Sequence, residues 1–248
     1  MKIYLSVVIP MYNEKENLKR GVLGEIKDYL EKQKFSWEVI ISDDGSTDES
    51  REMVRNFVQK FPNFKLLENP HGGKPFAIRS GAEKASGEIC VFTDMDQSTP
   101  ISEIEKILPF FKADFDIVIG SRGTVRKDFP WYRRLMSWGF RSLRRFLLLR
   151  DLVDTQCGFK AFKTSVGKRI FGRMTIFQRR SKGWKVGAWD VEFLFVAQKL
   201  GFKIKEVPIV WVDKDVALGK QRNFVKESRE MFSEILRVKL NDWKGKYD

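Results

Sequence analysis

Residues 88–96, EICVFTDMD, decide the fold of this chain. The apolar run inside Glu88–Thr93 reads as a short strand buried on both faces, and it leads straight into two carboxylates, Asp94 and Asp96. Upstream of it, strand and helix patterns alternate. Ile3–Pro10 reads as a buried strand, Glu16–Gln33 as an amphipathic helix and Trp37–Ser42 as a second strand. A helix follows over about Thr47–Phe61, then a short strand over Phe64–Glu68 and a helix over about Pro75–Ala85. Downstream, Ser102–Phe111 reads as a helix and Asp116–Gly120 as a fifth strand. Strands alternating with helices of this length predict an α/β fold, a mainly parallel sheet flanked by helices on both faces.

Sheets of this kind bind ligands outside the carboxyl ends of their strands. The predicted ends carry Pro10-Met11-Tyr12-Asn13-Glu14, Asp43-Asp44-Gly45, Asp94-Met95-Asp96 and Ser121-Arg122, which gathers polar residues at one edge. The second half is less regular. It reads as a basic amphipathic helix over Trp131–Leu149, a helix over Asp190–Leu200, a strand over Lys203–Val212 and a last helix over Phe224–Leu240. No internal repeat and no linker rich in Gly, Pro or Ser divides the chain, so a single domain is expected.

Composition narrows the function. With 42% hydrophobic residues in 248, a substantial core is available and disorder of the whole chain is excluded. Two cysteines far apart and one histidine support neither a disulfide framework nor a His-rich metal site, and a reducing compartment fits. The first ten residues lead directly into a strand with no secretory leader, and no stretch approaches the roughly 20 apolar residues of a membrane span. A soluble or peripheral protein is therefore expected. The net charge is +13, unevenly spread: residues 126–150 hold eight Arg or Lys against one Asp, and residues 160–185 hold nine against no acid. Two basic blocks flanking one short motif, Asp154–Lys160, predict an anionic partner at one place.

Asp94-Met95-Asp96 is the central constellation. Two carboxylates leaving a buried strand converge on one hard divalent cation, Mg²⁺ or Mn²⁺, whose remaining ligands would be diphosphate oxygens and water. The plainer account, a turn in which Asp96 or Ser98 caps the next helix, is outweighed by the position after the fourth strand. In Asp43–Glu49, Ser46 and Glu49 match a capping box and Asp48 suits a helix start, while Asp43 is left free to accept hydrogen bonds from a ribose or base. Asp44 fits either role equally. Tyr12 offers a ring for a base to pack on, with Glu14 beside it. His71-Gly72-Gly73-Lys74 reads as a plain turn with a surface lysine, and it lacks the phosphate-loop spacing. Cys157 reads as a small packing residue. Asp190 is equally an N-cap or a group facing an acceptor. Lys214, Lys220 and Arg222 form a loop of cations able to close over a diphosphate. In the helix 131–149, Tyr132, Met136, Leu143 and Leu147 line one stripe and Arg133, Arg141, Arg144 and Arg145 another, the pattern of a helix lying on an anionic membrane surface.

Taken in order, LSVVIPMYNE, ISDDGSTDES, FTDMDQSTP, VIGSR, DTQCGFKAF and AWDVEFLFVA make the chain resemble inverting glycosyltransferases of the GT-A (Rossmann-like) fold, specifically the dolichyl-phosphate sugar synthases. The resemblance spans about residues 4–222. DTQCGFK followed by WDVEFL is most similar to the dolichyl-phosphate β-glucosyltransferase branch, with the mannose synthases next. Two departures argue against mannose: Ser98 stands where mannose synthases often carry Gln, with Gln97 one place early, and Lys214 stands where they commonly carry Arg.

The resemblance implies a domain over residues 1–223, with a nucleotide-binding half to about 122 and an acceptor half beyond, followed by an amphipathic helix over 224–248. It implies that Pro10, Tyr12, Glu14, Ile41 and Asp43 hold the nucleoside, and that Asp94 and Asp96, with Met95 and Ser98 in the same loop, serve the metal and diphosphate. Arg122, Lys214 and Lys220 would contact the donor's phosphates or the acceptor phosphate. The expected reaction moves a hexose from a nucleotide-diphosphate sugar, UDP-glucose before GDP-mannose, to a dolichyl or other polyprenyl phosphate at the cytoplasmic face of a membrane. Asp96, Asp190 and Arg122 are the residues expected to carry it. A lipid phosphate is already anionic near neutral pH, so positioning and leaving-group stabilisation outrank a strong base. The competing classes are a basic nucleic-acid-binding protein, opposed by the acidic sheet edge, a nucleotidyltransferase, and a glycosyltransferase acting on a polysaccharide or protein.

Overall fold

The computed structural model describes residues 2–123, 139, 142, 144, 145, 147–149, 151–178, 189–214, 216 and 224–248, the last range without the side chains of 224–228 and 230. Seven strands form one sheet: β1 (Leu5–Met11), β2 (Trp37–Asp43), β3 (Phe64–Glu68), β4 (Ile89–Phe92), β5 (Ile117–Ser121), β6 (Lys160–Lys163) and β7 (Ile204–Pro208). Their order is β3-β2-β1-β4-β6-β5-β7. β6 pairs antiparallel with both β4 and β5, and every other pairing is parallel. The expected mainly parallel α/β sheet is present, and the neighbours reported below share it.

Alternation along the strands builds two cores. Val7, Ile9, Val39, Ile41 and Val91 face one side with α2 (Val22–Leu30), α3 (Ser50–Val58) and α5 (Ile104–Lys112), α1 (Lys15–Lys19) being the short helix before α2. Val8, Ile40, Phe92 and Phe162 face the other with α4 (Lys74–Lys84), α6 (Thr164–Arg173), α7 (Trp189–Lys199) and α8 (Phe224–Trp243). Burial on both faces explains why these strands read as continuous apolar runs. α8 belongs to the second core, since Ile235, Val238 and Tyr247 are each 0% exposed within it.

Several expected boundaries are corrected. The helix expected over Glu16–Gln33 is two helices, broken at Gly21, whose φ of 87° lies in the left-handed region that ends a helix. The helix expected from Thr47 begins at Ser50, and no capping box forms: Ser46 Oγ accepts from the Asn13 amide (3.0 Å) while Asp48 Oδ1 accepts from the Ser50 amide (3.0 Å). The strand expected to reach Val212 stops at Pro208, opposite Ser121 where β5 itself ends, with a last bond from the Ile209 amide to the Ser121 carbonyl (3.0 Å). β6 and α6 lie inside what reads as a basic block. Its described cations are largely engaged in the fold: Lys160 is fully buried, Lys163 pairs with Asp116 (2.9 Å), Lys168 reaches the Ala85 carbonyl (3.2 Å) and Arg169 lies over the Phe202 ring.

The helix expected over Trp131–Leu149 falls mostly outside the described residues, with Tyr132, Arg133, Met136, Arg141 and Leu143 among those left out. Its described end turns inward. Arg144, expected on the basic stripe of a membrane-surface helix, is 1% exposed and donates to Thr155 Oγ1 (2.6 Å) and the Leu152 carbonyl (2.7 Å), and Leu149 is fully buried. Among the described residues, no helix is long and apolar enough to cross a membrane.

Candidate active site

The sheet changes direction of growth between β1 and β4, and the crevice outside their carboxyl ends is the place where such folds bind ligands. Tyr12 follows β1, Asp43 ends β2, Asp94 follows β4 and Arg122 follows β5. Antiparallel β6 enters this edge at its beginning, because Lys160 registers with Phe92 and Ile119. The loop Asp154–Phe159 therefore meets the two acidic loops at the same edge.

On the β1–β2 side the groups hold one another. The Tyr12 ring stacks on His71 with centroids 4.5 Å apart. His71 Nδ1 lies 2.9 Å from the Asp44 carbonyl and 3.0 Å from Asp44 Oδ2. Asp44 accepts from the Gly72 (2.9 Å) and Gly73 (2.9 Å) amides; burial pushes its carboxyl up against the opposing pull of those amides and His71. Asp44 thus ties the β2 loop to the start of α4, a structural role. Asp43, expected to be free, is fully buried and accepts from Arg51 Nη2 (2.6 Å) and Nε (2.9 Å) and from the Ser46 amide (3.2 Å). Glu14 Oε2 accepts from Asn17 (2.6 Å), whereas Pro10 and Ile41 are buried within the sheet.

The acidic centre is built differently from the sequence expectation at one residue. Lys74, read as a surface lysine, reaches back from the first residue of α4 and its Nζ stands 2.5 Å from Asp94 Oδ1. Burial works to lower its pKa, but Asp94 first, then Asp96 and Asp190, hold it above the usual lysine value. The signal for Lys74 was the lysine placed where a glycine turn starts a helix. Asp94 Oδ2 packs against Gly158: a Cβ there would meet that oxygen at 2.1 Å. The glycine of the 154–160 motif is what leaves room for the carboxylate. Asp96 Oδ1 accepts from the Ser98 amide (2.8 Å), and Met95 is 2% exposed in the core.

Ser98 also receives the late loop, accepting from the Val212 amide at its carbonyl (2.8 Å) and from the Lys214 amide at Oγ (3.2 Å). Arg20, which sequence reasoning passed over, clamps the two loops by donating to the carbonyls of Asp96 and Lys214. No motif surrounds Arg20, so the sequence holds no signal for this role. Lys214 therefore reaches the site by its backbone, and Lys220 lies outside the described residues.

Across the edge, Arg122 makes a two-pronged pair with Asp154, Nε to Oδ2 at 2.8 Å and Nη2 to Oδ1 at 2.9 Å. Burial works to raise the Asp154 carboxyl, but Arg122 overcomes it and holds it at about 2. Glu206 fixes this loop through the Val153 (2.7 Å) and Asp154 (2.8 Å) amides. Lys160 donates to the Cys157 carbonyl and lies 3.4 Å from Asp190 Oδ2. Asp190 sits in the first turn of α7 with this buried cation beside it. Cys157 is fully buried and burial pushes its thiol up, which makes it a packing residue.

The donor set suits a hard cation shared with a ligand. Asp94 and Asp96 offer carboxylate oxygens, while no group of three or more His, Cys, Asp or Glu able to hold a metal occurs among the described residues. Two protein carboxylates with diphosphate oxygens completing the shell is the arrangement typical of Mg²⁺-class ions.

Comparisons with known proteins agree with this geometry. The family model for glycosyl transferase family 2 matches residues 6–171. The chain is 34% identical to the dolichyl-phosphate beta-glucosyltransferase of Dictyostelium discoideum over 98% of its own length and 77% of the relative's. It is 33% identical to the Homo sapiens protein of the same name, covering 84% of this chain and 67% of that one. Among solved structures, the glucosyl-3-phosphoglycerate synthase of Mycobacterium tuberculosis, in complex with Mn²⁺, UDP and glucosyl-3-phosphoglycerate, is similar with a TM-score of 0.59 and 18% identity. That likeness covers 95% of this chain and 80% of the other and carries the GT-A fold. The protein is a glycosyltransferase, and its chain belongs to glycosyl transferase family 2.

Proposed function

We propose that this enzyme transfers glucose from UDP-glucose to a dolichyl or other polyprenyl phosphate, with inversion at the anomeric carbon. The observation that carries the proposal is the set of cations interleaved with carboxylates at one sheet edge, Lys74 and Lys160 with Asp94 and Asp190, beside the Arg122–Asp154 pair. Such an edge suits a reaction between two phosphate-bearing substrates. The names of the relatives at 33–34% identity supply the sugar and the lipid.

In this reading Tyr12, Glu14 and Asp43 hold the nucleoside over Pro10 and Ile41, with Arg51 presented alongside Asp43. Asp94 and Asp96 would hold Mg²⁺ or Mn²⁺ in the loop that includes Met95 and Ser98, a cation that would supply Lewis-acid stabilisation to the UDP leaving group. Arg122, Lys214 and Lys220 contact phosphate oxygens. Asp190, steadied by Lys160, positions the sugar or the acceptor. An acceptor phosphate oxygen attacks the anomeric carbon in line, the bond to the donor's diphosphate breaks, and UDP leaves. The attacking oxygen is already anionic, so no proton needs to be removed from it.

The membrane surface and its cytoplasmic face belong to the same proposal. Exposed apolar side chains support it: Trp211 (38%) and Val212 (52%) near the site, and Phe232 (48%), Leu236 (40%), Leu240 (48%) and Trp243 (73%) along one face of α8. The test offers radiolabelled UDP-glucose and GDP-mannose in parallel with polyprenyl phosphate and Mn²⁺, and follows label into the organic phase. Label from UDP-glucose alone is expected. Label from GDP-mannose alone would replace the sugar, and label from neither, with no donor bound, would overturn the proposal.

A further inference from the structure

We infer that Lys74 occupies the cation position of Asp94 in the free enzyme, so that a divalent metal binds tightly only together with the nucleotide diphosphate. The inference rests on the proposed metal role of Asp94 and deepens it by naming what controls entry.

Both oxygens of Asp94 are bounded. Oδ2 lies where a side chain at Gly158 would stand, and Oδ1 carries the Lys74 ammonium at 2.5 Å. A cation that takes Asp94 must therefore meet the ammonium, and at a few ångströms a divalent and a monovalent charge repel strongly in a partly desolvated site. Lys74 is 25% exposed and Asp94 35%, so the contact is partly shielded and screened less than one on an open surface.

In this inference Lys74 gives up Asp94 when another anion offers itself. Its stem starts at the first residue of α4, where Asp44 already takes the Gly72 and Gly73 amides, so the ammonium is the group left to meet an arriving anion. A diphosphate arriving at this edge gives the ammonium new oxygens and exposes Asp94 Oδ1 to the metal. Nucleotide and metal then favour each other by the same factor, because coupling between two binding sites is reciprocal.

The test titrates Mn²⁺ onto the full chain, with and without UDP, and reads free Mn²⁺ by electron paramagnetic resonance. For the unaltered enzyme, UDP is expected to tighten Mn²⁺ binding by about tenfold or more. In Lys74→Met, Mn²⁺ binding without UDP is expected to tighten by a comparable factor and the further gain from UDP to shrink. Lys74→Arg, which keeps a cation there, is expected to retain the original pattern. Equal Mn²⁺ affinity with and without UDP in the unaltered enzyme, with UDP itself seen to bind, would overturn the inference without recourse to any variant. So would Lys74→Met, or Lys74→Gln if the Met variant fails to fold, with unchanged affinity for Mn²⁺ alone. Absence of UDP binding at any Mn²⁺ concentration would instead strike the proposed donor, while the affinity for Mn²⁺ alone would still decide the role of Lys74.

Discussion

At the scale of single residues, the site depends on space as much as on charge. Asp94 has its position because Gly158 has no side chain, and Gly158→Ala would put a methyl group 2.1 Å from Oδ2. A displacement of about 1 Å in such a carboxylate costs on the order of 100-fold in rate. The expected outcome is a loss of about that size in kcat/KM, with a circular dichroism spectrum like that of the unaltered enzyme. Activity kept at the original level would show that Asp94 does not need its observed position. The sequence announced the carboxylates, since Asp94, Asp96 and Asp43 stand at strand ends and strand ends form the binding edge. It did not announce their partners. Lys74 and Arg20 are ordinary surface cations by local pattern, and only the meeting of separate loops brings them to Asp94 and Asp96, while Arg51 reaches Asp43 from the first turn of the next helix.

Among elements, the least expected relation is between α7 and α8. Glu192, 0% exposed on α7, accepts from Arg237 (2.7 Å), the Thr175 amide (2.7 Å) and the Tyr247 hydroxyl (2.8 Å). Burial works to raise the Glu192 carboxyl, and Arg237 outweighs it and holds the pKa down. Breaking a buried pair of this kind leaves an uncompensated charge. Arg237→Met is therefore expected to lower stability by about 3–5 kcal/mol, read from urea unfolding. Adding Glu192→Gln should recover part of the loss, because the two sites share one network. A chain ending at residue 223 should fail to fold cooperatively, since Ile235, Val238 and Tyr247 close the same core as α7. A sharp thermal transition in that shortened chain would contradict this. The parallel strands were legible because continuous apolar runs bounded by turns suit sheets buried on both faces. β6 was not: four residues with lysine at each end hide a strand whose buried Lys160 is held by the Cys157 carbonyl and Asp190 from outside its own segment.

For the whole molecule, one buried carboxylate, Glu38, and one half-buried one, Asp154, shape the response to acid. Asp154, paired with Arg122, and Glu38, which accepts from Lys65 (2.6 Å) and Ser6 (2.6 Å), are each held at about 2 against the opposing effect of burial. Both folded values lie below the unfolded ones, so their stabilisation is complete above about pH 4.5 and is lost as pH falls toward 2. Each contributes about 2–3 kcal/mol at neutral pH. Urea midpoints should therefore fall across that window, and Glu38→Gln, away from the site, should flatten the fall. A midpoint that is level from pH 5 to 3 would remove this account of the two pairs.

The proposed work of the Asp94–Asp96 edge is to join a hexose to a lipid phosphate. Its most direct measurement is mass spectrometry of polyprenyl phosphate incubated with UDP-glucose and Mn²⁺, for the unaltered enzyme and for Asp96→Ala. The expected result is a lipid phosphate gaining one hexose, with one UDP released per product, and loss of that product in Asp96→Ala. A lipid that never gains a hexose, or one that gains it equally well in Asp96→Ala, would contradict it.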